Sequence, residues 1–554
     1  MSAATLETLL GDARDPANPV GYAAVLAADE RQEMLPEGER LLERYGLNAE
    51  FVPTAYGGRL TRADHLGDVL RAVWRRDPCL GLGYGFSSLI ASVNIWCAGS
   101  EEHRRTAARL LLGGKRIAAA FHELAHGTDF AYAECAARSV DGGWLLSGRK
   151  ELVTNLARAE AMVVFARTGA SAGSRAFSQF LLVRDELPAE MLTDLPRYAT
   201  TGMRGVNLGG LEFNRGRIPG SALIGEQGHG IEVALRAYQV TRMVSPSMMV
   251  GPLDSALRLA IELALERRLY GAAVADLPYV RTTIARAYAD LLAVDVFSAV
   301  GLRALHLLPD ATAGYAPATK YLTSQIVLDA IDDLRSVLGA QGFLREGRYA
   351  MFQKLVRDTA PATFAHVSRA ACLVMLLPHL PRLARRSWLA EGPPPPELLD
   401  PGADLPPLDF TRLTSGMRGD PLAGVLAGPG DGAGPVGRFA ARFRRELGSL
   451  RDACRELGPA DITIDGSPAA FALADRYTVL LAAAAALGVW QRTGGRYPRA
   501  ALLGVLDRLD DRLGGPPVLS VAEREHVEHQ LFELAADRVR SHRLLDLSGR
   551  RVPG

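Results

Sequence analysis

The chain has 554 residues, of which 48% are hydrophobic and 23% charged, and its 63 basic and 62 acidic side chains leave a formal net charge of +1. This composition predicts a soluble protein with a large buried core, long enough for two to four domains. A balanced charge provides no long-range attraction to phosphate backbones or anionic lipid, so we expect no nucleic-acid partner.

Residues 1–115 are predicted to form an N-terminal helical domain. Apolar residues recur three and four apart in YAAVLAADERQEMLPEGERLLERYG and in ADHLGDVLRAVWRR, which is the period of an amphipathic helix. From residue 116 to 226 the apolar segments become short, β-branched or alternating, and Gly, Asp, Asn and Ser clusters separate them. This change of pattern predicts a compact central β domain.

Helical periodicity returns at residue 227 and continues to 385 in long stretches with short loops, which predicts an antiparallel bundle. Residues 386–435 include EGPPPPELLDPGADLPPLDF and AGPGDGAGPVG, so we expect a semi-stiff linker or a surface loop rather than a core element. Residues 436–554 contain about four more amphipathic helices and are predicted to form an additional helical domain. The predicted fold class is therefore α+β, mostly α.

Two further features bear on the compartment. The five cysteines are odd in number and no two of them have zinc or thioredoxin spacing, which favours buried, reduced thiols in a cytoplasmic protein. The first residues lack a basic and an apolar region, and the longest apolar run, residues 478–490, has 13 residues. A membrane-spanning helix needs roughly 20, so we predict neither a signal peptide nor a membrane span.

Generic motifs do not identify a function. GLGYGF at residues 81–86 and GEQGHG at residues 225–230 lack the spacing of a dinucleotide or phosphate-binding loop, and we interpret both as turns. The 11 histidines include no HExxH pair, so no metal site is predicted.

A series of motifs follows between residues 49 and 376. FVPTAYGGRLT and RAVWRRDPCLGLGYG come first, then HELAHGTDF and WLLSGRKELVTN, then TGMRG and LEFNRGRIPGSALIGEQGHGIEVA. RRLYG, ATKYL, LGAQGF and the Arg357-Asp358 pair complete the series. Their content and order resemble the acyl-CoA dehydrogenase family. The resemblance implies an N-terminal helical domain, a central β-barrel-like domain and a C-terminal four-helix bundle, with extra C-terminal helices here.

The resemblance also implies FAD as cofactor and an acyl thioester of CoA or a carrier protein as substrate. Such an enzyme removes an α-proton with a base while a β-hydride passes to flavin N5. By resemblance, Thr154 places its hydroxyl near N5, and Thr128 lies at the flavin phosphates and the thioester end of the substrate. The alternative is that both hydroxyls cap local backbone in a strand and a turn.

Three further cofactor residues are implied by the resemblance. Arg267 matches the arginine that reaches the FAD diphosphate of a neighbouring subunit, for which a bidentate guanidinium is well suited. Gly339 and Gly342 would let backbone amides approach the same cofactor. The protein is therefore expected to be at least a homodimer. An ion pair with a nearby Glu on the helix surface is the alternative for Arg267.

The sequence departs from the family where the chemistry occurs. The Thr-Glu-Pro that begins the flavin loop is replaced by His122-Glu123-Leu124, and the tryptophan beside the flavin by Leu152. The usual position of the catalytic glutamate holds His366, or Ala365 if one gap is allowed. The second position used by some members holds Thr241.

These departures leave the base open. His366 is either the base or a packing residue, and a carboxylate such as Asp129 or Glu151 can instead reach in from elsewhere. Arg242 lies on an apolar helix and would need a partner or a cofactor charge; by resemblance it supports the substrate end of the pocket.

Three functions remain open. The first is an FAD-dependent α,β-dehydrogenation of an acyl thioester, with an electron-transfer flavoprotein or O2 as electron acceptor. The altered base position favours a role in specialised metabolism over routine β-oxidation. The second is a flavin-dependent oxidase or monooxygenase on the same fold, which needs no α-proton base. The third is a catalytically silent scaffold that binds an acyl chain or a partner.

Overall fold

A computed structural model of the protein describes residues 2–127, 129–170, 173–428 and 434–553. These residues form a mostly helical molecule around one central sheet, which confirms the predicted fold class. All five cysteines are buried and free, as their spacing predicts.

The first part of the chain is helical. It contains α1 (Ala3–Leu10), α2 (Tyr22–Glu30), α3 (Pro36–Tyr45), α4 (Ala63–Arg76), α5 (Pro78–Leu80), α6 (Ser87–Ala98) and α7 (Glu101–Leu112). Local sequence explains several boundaries. Pro36 occupies the first turn of α3 and Gly46, with φ of 70°, ends it, while the Ser100 side chain accepts a hydrogen bond from the backbone N–H of His103 at the start of α7.

GLGYGF is helical, so its interpretation as a turn is wrong. Gly81–Phe86 forms a π-helical segment that joins α5 to α6. Its glycines allow close packing: a Cβ on Gly81 would lie 2.4 Å from the Trp74 ring, and one on Gly83 would lie 2.6 Å from Met34 Sδ. The glycines that suggested a loop are therefore required by the contacts of a helix.

The central sheet has eight strands. They are β1 (Ile117–Ala120), β2 (Ala136–Val140), β3 (Gly143–Thr154), β4 (Ala161–Arg167), β5 (Phe177–Val183), β6 (Leu192–Leu195), β7 (Leu208–Pro219) and β8 (Leu223–Ile224). The strand order is β6-β7-β3-β2-β4-β5-β8, and β1 pairs in parallel with β4. β4 is buried along almost its whole length, because one of its faces packs inside the β domain and the other against the helices.

The next helices form the bundle. They are α8 (Gly230–Glu266), α9 (Pro278–Leu307), α10 (Thr312–Leu338), α11 (Met351–Thr359), α12 (Arg369–Leu376) and α13 (Leu380–Arg386). A short hairpin of β9 (Arg268–Leu269) and β10 (Ala272–Ala273) follows α8. The three long helices α8, α9 and α10 are apolar on most of their surface, because neighbours surround them.

The Pro-rich segment from residue 386 contributes to the core, although its composition predicts a linker or surface loop. Asp420 is 1% exposed and accepts hydrogen bonds from the hydroxyls of Tyr315 and Tyr477 and from the indole of Trp388. This carboxylate joins the segment to α10 and to the later helices. The segment lacks long helices because of its prolines, yet its apolar side chains are buried.

The last helices are α14 (Pro435–Arg455), α15 (Pro468–Thr493), α16 (Arg499–Leu513) and α17 (Val521–Arg540). Ion pairs dock them on the bundle: Arg508 bonds Asp290 on α9 at 2.8 Å, and Arg512 bonds Asp329 on α10 at 2.9 Å. After α17, Asp546 enters the core and bonds Arg71 at 3.0 Å. The extension is thus packed on the bundle.

Two helical stretches, Pro78–Ala98 and Pro468–Thr493, are long and apolar enough to cross a membrane. Their most apolar windows are 89% and 72% buried inside the protein. Contacts within the fold therefore account for their hydrophobicity.

Candidate active site

Three parts of the bundle meet at a small polar cluster. Thr241 and Arg242 lie in α8, Lys320 lies in α10, and His366 follows α11. His366 Nε2 lies 2.6 Å from Thr241 Oγ1. The two positions at which the family resemblance leads one to expect a catalytic carboxylate thus contact each other, with an imidazole and a hydroxyl in its place.

The surroundings of His366 keep its ring neutral. Tyr238 and Phe86 present edge contacts to the imidazole, with ring centroids 4.7 and 6.5 Å away. Burial, together with the positive charges of Arg242 and Lys320, lowers the pKa of His366 well below its usual range. The backbone at His366 has φ of 68°, a left-handed conformation that is uncommon outside glycine and often occurs at functional sites.

Arg242 is 5% exposed, and its Nε has no hydrogen-bond partner among the described residues. Its guanidinium lies over the Tyr238 ring, 5.9 Å from the centroid. Burial lowers the pKa of Arg242, and burial likewise lowers the pKa of Lys320, to about 8. Lys320 Nζ donates to the carbonyl of Ala362 at 2.7 Å.

The β domain contributes a second group of polar residues. The Lys150 side chain is fully buried, and its Nζ donates to Glu123 Oε1 at 2.7 Å and to the carbonyl of Phe121 at 3.2 Å. Burial opposes ionisation of Glu123, but Lys150 and backbone amides hold its pKa below the usual range. His122 Nδ1 lies 3.2 Å from the carbonyl of Glu151. The His122-Glu123-Leu124 segment is therefore fixed against β3.

Thr154 ends β3 and pairs with Leu208 on β7. The strand register shifts between Lys150 and Val153, and Leu152 within this bulge has φ of 52°. A bulge of this kind changes the direction of side chains and is common beside active sites. Thr154 is half-buried, and no hydrogen bond of its hydroxyl to a described residue is found.

An aromatic contact joins the two groups. The ring centroid of Phe121, the residue before His122, lies 5.5 Å from that of Tyr238, and Tyr238 in turn contacts His366. The end of β1 and the polar cluster of the bundle are thus adjacent. Sequence reasoning identified His366, Arg242 and Thr154 but missed Lys320 and Tyr238. A lysine in the apolar pattern around ATKYL was the available signal for Lys320.

Arg267, Gly339 and Gly342 lie elsewhere, on an outer face of the bundle. Glu266, which precedes Arg267, bonds Arg348 at 2.6 Å, so the hairpin after α8 lies beside the loop after α10. Arg267 is exposed, and no ion pair to it is found within the described part of the chain.

The two glycines of this loop have different roles. Gly339 has φ of 53° and open space where a Cβ would stand. Gly342 is required by packing, because its Cβ would lie 2.7 Å from that of Leu338. Gly339 is exposed in this turn, and Gly342 is half-buried.

The remaining candidate residues lie apart from the polar cluster. Thr128 is outside the described residues. Asp129 is exposed and accepts from the backbone N–H of Ala131. Glu151 accepts from Leu124 N and from the Tyr198 hydroxyl. Among the described residues, neither carboxylate lies within ion-pair distance of Arg242 or His366.

Comparisons with known proteins find related domains and folds. The profile for the acyl-CoA dehydrogenase middle domain matches residues 118–215, and the profile for the acyl-CoA dehydrogenase C-terminal domain matches residues 228–366. Mitochondrial isovaleryl-CoA dehydrogenase of Oryza sativa subsp. japonica is 25% identical over 259 residues, which are 46% of this chain. The chain spans 61% of the length of that relative.

Two solved structures show the same fold. The acyl-CoA dehydrogenase of Bacillus anthracis complexed with FAD has a TM-score of 0.68 at 17% identity, and the match covers 96% of this chain and 94% of that chain. The prolyl acyl carrier protein oxidase AnaB has a TM-score of 0.61 at 17% identity, covering 68% of this chain and 97% of that one. Residues 118–215 and 228–366 thus match, in order, the middle and C-terminal domains of the acyl-CoA dehydrogenase family.

Proposed function

We propose that this protein is an FAD-dependent oxidoreductase that introduces an α,β double bond into an acyl thioester. The observation that carries the proposal is the pairing of His366 with Thr241, which places an imidazole where the family resemblance implies a base. Thr154 at the end of β3 and the match to the acyl-CoA dehydrogenase domains support it.

The residues present fit the cofactor. Thr154 ends a strand with an unused hydroxyl, which suits an acceptor on a flavin ring, and Arg267 offers an exposed guanidinium, which suits a diphosphate. Gly339 leaves its backbone accessible in the same outer loop. Bound FAD would supply an acceptor for the β-hydride and its electron pair. Because Arg267 lies on an outer face, we propose that it serves the FAD of a second subunit in a homodimer.

We assign removal of the substrate's α-proton to His366. The Thr241 hydroxyl donates to the carbonyl of Tyr238 at 3.3 Å, so its oxygen is left to accept from Nε2–H of His366. That tautomer leaves the lone pair on Nδ1, which takes the α-proton of the substrate. The Tyr238 and Phe86 rings pack edgewise against the imidazole. The neutral state that a base requires is already present.

The substrate is a thioester of CoA or of a carrier protein. The rice relative is named for a CoA thioester and AnaB for a carrier-protein substrate, so both carriers belong in the test. The acceptor of the electrons is an electron-transfer flavoprotein or O2.

The test begins with the visible absorption spectrum of the purified protein, followed by anaerobic addition of saturated acyl thioesters on both carriers. Bleaching of a flavin band and formation of the enoyl product are expected. Readmission of air then distinguishes O2 from an electron-transfer flavoprotein as the electron acceptor, since rapid formation of hydrogen peroxide indicates an oxidase. Bound flavin that no thioester reduces contradicts dehydrogenation, and a protein that holds no flavin after reconstitution supports a silent scaffold.

A further inference from the structure

Arg242 differs from the other buried cations of this protein. Seven arginine or lysine residues are buried among the described residues, and four of them bond a carboxylate: Arg71, Lys150, Arg303 and Lys354. Arg76 bonds three backbone carbonyls, and Lys320 bonds one. Arg242 bonds none of the described residues.

An unpaired guanidinium inside a protein is costly, and charged groups are otherwise buried only with partners. Here two cations lie close enough to lower the pKa of the same imidazole, His366. The described groups around these two cations do not supply a negative charge. Burial raises the pKa of the Cys372 thiol to about 11, and burial also raises the pKa of Tyr238, so both stay protonated at neutral pH.

We propose that the acyl group of the substrate carries a carboxylate, which Arg242 binds with Lys320 beside it. The proposal rests on the proposed function and specifies its substrate class, the monothioester of a dicarboxylic acid. A planar guanidinium matches the two oxygens of a carboxylate. Arg242 directly follows Thr241, which bonds the proposed base, so the anion lies near the reacting carbons. The phosphates of CoA or of a carrier are separated from those carbons by the pantetheine arm.

The same charges affect the base. With the site empty, Arg242 and Lys320 disfavour protonation of His366 and make it a weak base. A bound carboxylate offsets their field, so the affinity of the imidazole for a proton rises when the correct substrate is present. A substrate with an ammonium group has the opposite effect. A prolyl thioester, the kind of substrate for which AnaB is named, is therefore expected to be a poor substrate here.

The test compares matched pairs of CoA thioesters in anaerobic flavin reduction: butyryl with succinyl, valeryl with glutaryl, and hexanoyl with adipyl. At least one dicarboxylic member is expected to have a KM about tenfold or more below its neutral partner, the range expected for a charge-assisted bidentate contact. Arg242→Gln should abolish this preference, so that KM no longer differs within a pair. Arg258→Gln on the same helix, whose arginine already pairs with Asp254, is the matched control and should keep the preference.

Equal KM values within all three pairs in the wild type refute the carboxylate site and leave dehydrogenation standing. If no thioester reduces the flavin, the affinities of the same pairs are measured by calorimetry, and these affinities test the carboxylate site. A dicarboxylic preference that Arg242→Gln abolishes supports the site although dehydrogenation has failed, and equal binding refutes it. An independent readout is the ligand-free protein, in which Arg242→Met is expected to raise Tm because an unpaired charge is removed. A lowered Tm contradicts the premise.

Discussion

At the residue scale, the proposed chemistry depends on one side-chain contact. His366 and Thr241 come from different parts of the bundle and meet at 2.6 Å. In the proposed mechanism this contact selects the imidazole tautomer, and the rings of Tyr238 and Phe86 pack against it. A neutral, oriented imidazole is suited to accept a proton, and two neighbouring cations control how strongly it does so.

Replacing His366 with Gln removes the basic ring nitrogen and keeps an amide that can contact the Thr241 hydroxyl. Flavin reduction by the best thioester should slow about 10²–10⁴-fold, the usual contribution of a general base. Stopped-flow absorbance under anaerobic conditions measures it. Thr241→Val keeps the imidazole and removes its hydrogen-bond partner, so the rate of flavin reduction should fall less than in His366→Gln. A full rate in His366→Gln means that another group is the base.

At the scale of elements, the end of β3 is held against the N-terminal helices. Asn155 has φ of 61°, and its side-chain amide donates to the Ser87 hydroxyl at 3.0 Å and to the carbonyl of Gly83. The π-helical segment that contains Gly83 therefore supports the strand that presents Thr154. The bulge before Thr154 and this bond after it define the direction of its hydroxyl.

Replacing Asn155 with Gly tests this connection. Glycine keeps the left-handed backbone and loses both hydrogen bonds, so the free energy of unfolding should fall by about 1–3 kcal/mol. Asn155→Ala should lose about 1 kcal/mol more, because a Cβ disfavours that conformation. Urea unfolding measures both variants. If Asn155→Gly is as stable as the wild type, the two hydrogen bonds do not hold the strand.

The hairpin after α8 is the second element with a functional prediction. Arg267→Ala should lose bound FAD, because the exposed guanidinium is proposed to bind the diphosphate of a second subunit. The flavin-to-protein ratio after gel filtration measures it. Arg268→Ala is the matched control: this neighbour donates to the carbonyl of Gly271 in its own hairpin, and its loss should leave occupancy unchanged. Full occupancy in Arg267→Ala contradicts the assignment.

At the scale of the whole molecule, buried polar contacts join segments that are distant in sequence. Arg71 on α4 pairs with Asp295 on α9 and with Asp546 beyond α17. His306 on α9 accepts from the backbone N–H of Ala63 at 3.0 Å, and its Nδ1 lies 2.8 Å from the carbonyl of Pro406. Such contacts make the C-terminal extension and the Pro-rich segment part of one packed structure.

His306 predicts a pH dependence. Burial lowers its pKa in the folded protein, so the unfolded chain binds a proton that the native state excludes. Its contribution to stability is complete above about pH 6.5, the usual value, and is lost as the pH falls toward the folded pKa. His306→Gln cannot titrate. Between pH 7.5 and 5, the free energy of unfolding measured in urea should therefore fall more steeply in the wild type than in His306→Gln. Equal decreases in the two proteins would contradict a lowered pKa of His306.

The sequence by itself determined the succession of helical and β segments and the family. Helical periodicity and short alternating strands depend on local contacts, and ordered motifs survive at low identity. GLGYGF failed as a local prediction because its glycines serve contacts with Trp74 and Met34, which lie outside the segment. The Pro-rich segment failed for the same reason: its composition excludes helix but does not reveal burial around Asp420.

Only the tertiary structure decided what surrounds the candidate base. The sequence named His366, Thr241 and Arg242 separately, and their contact depends on how α8 and the segment after α11 pack. It did not single out Lys320, because one lysine in an apolar helix has no meaning until its neighbours are known. The absence of a carboxylate beside Arg242 among the described residues is likewise a property of three-dimensional proximity. Charge balance in a buried site depends on distances between side chains, and sequence order does not encode those distances locally.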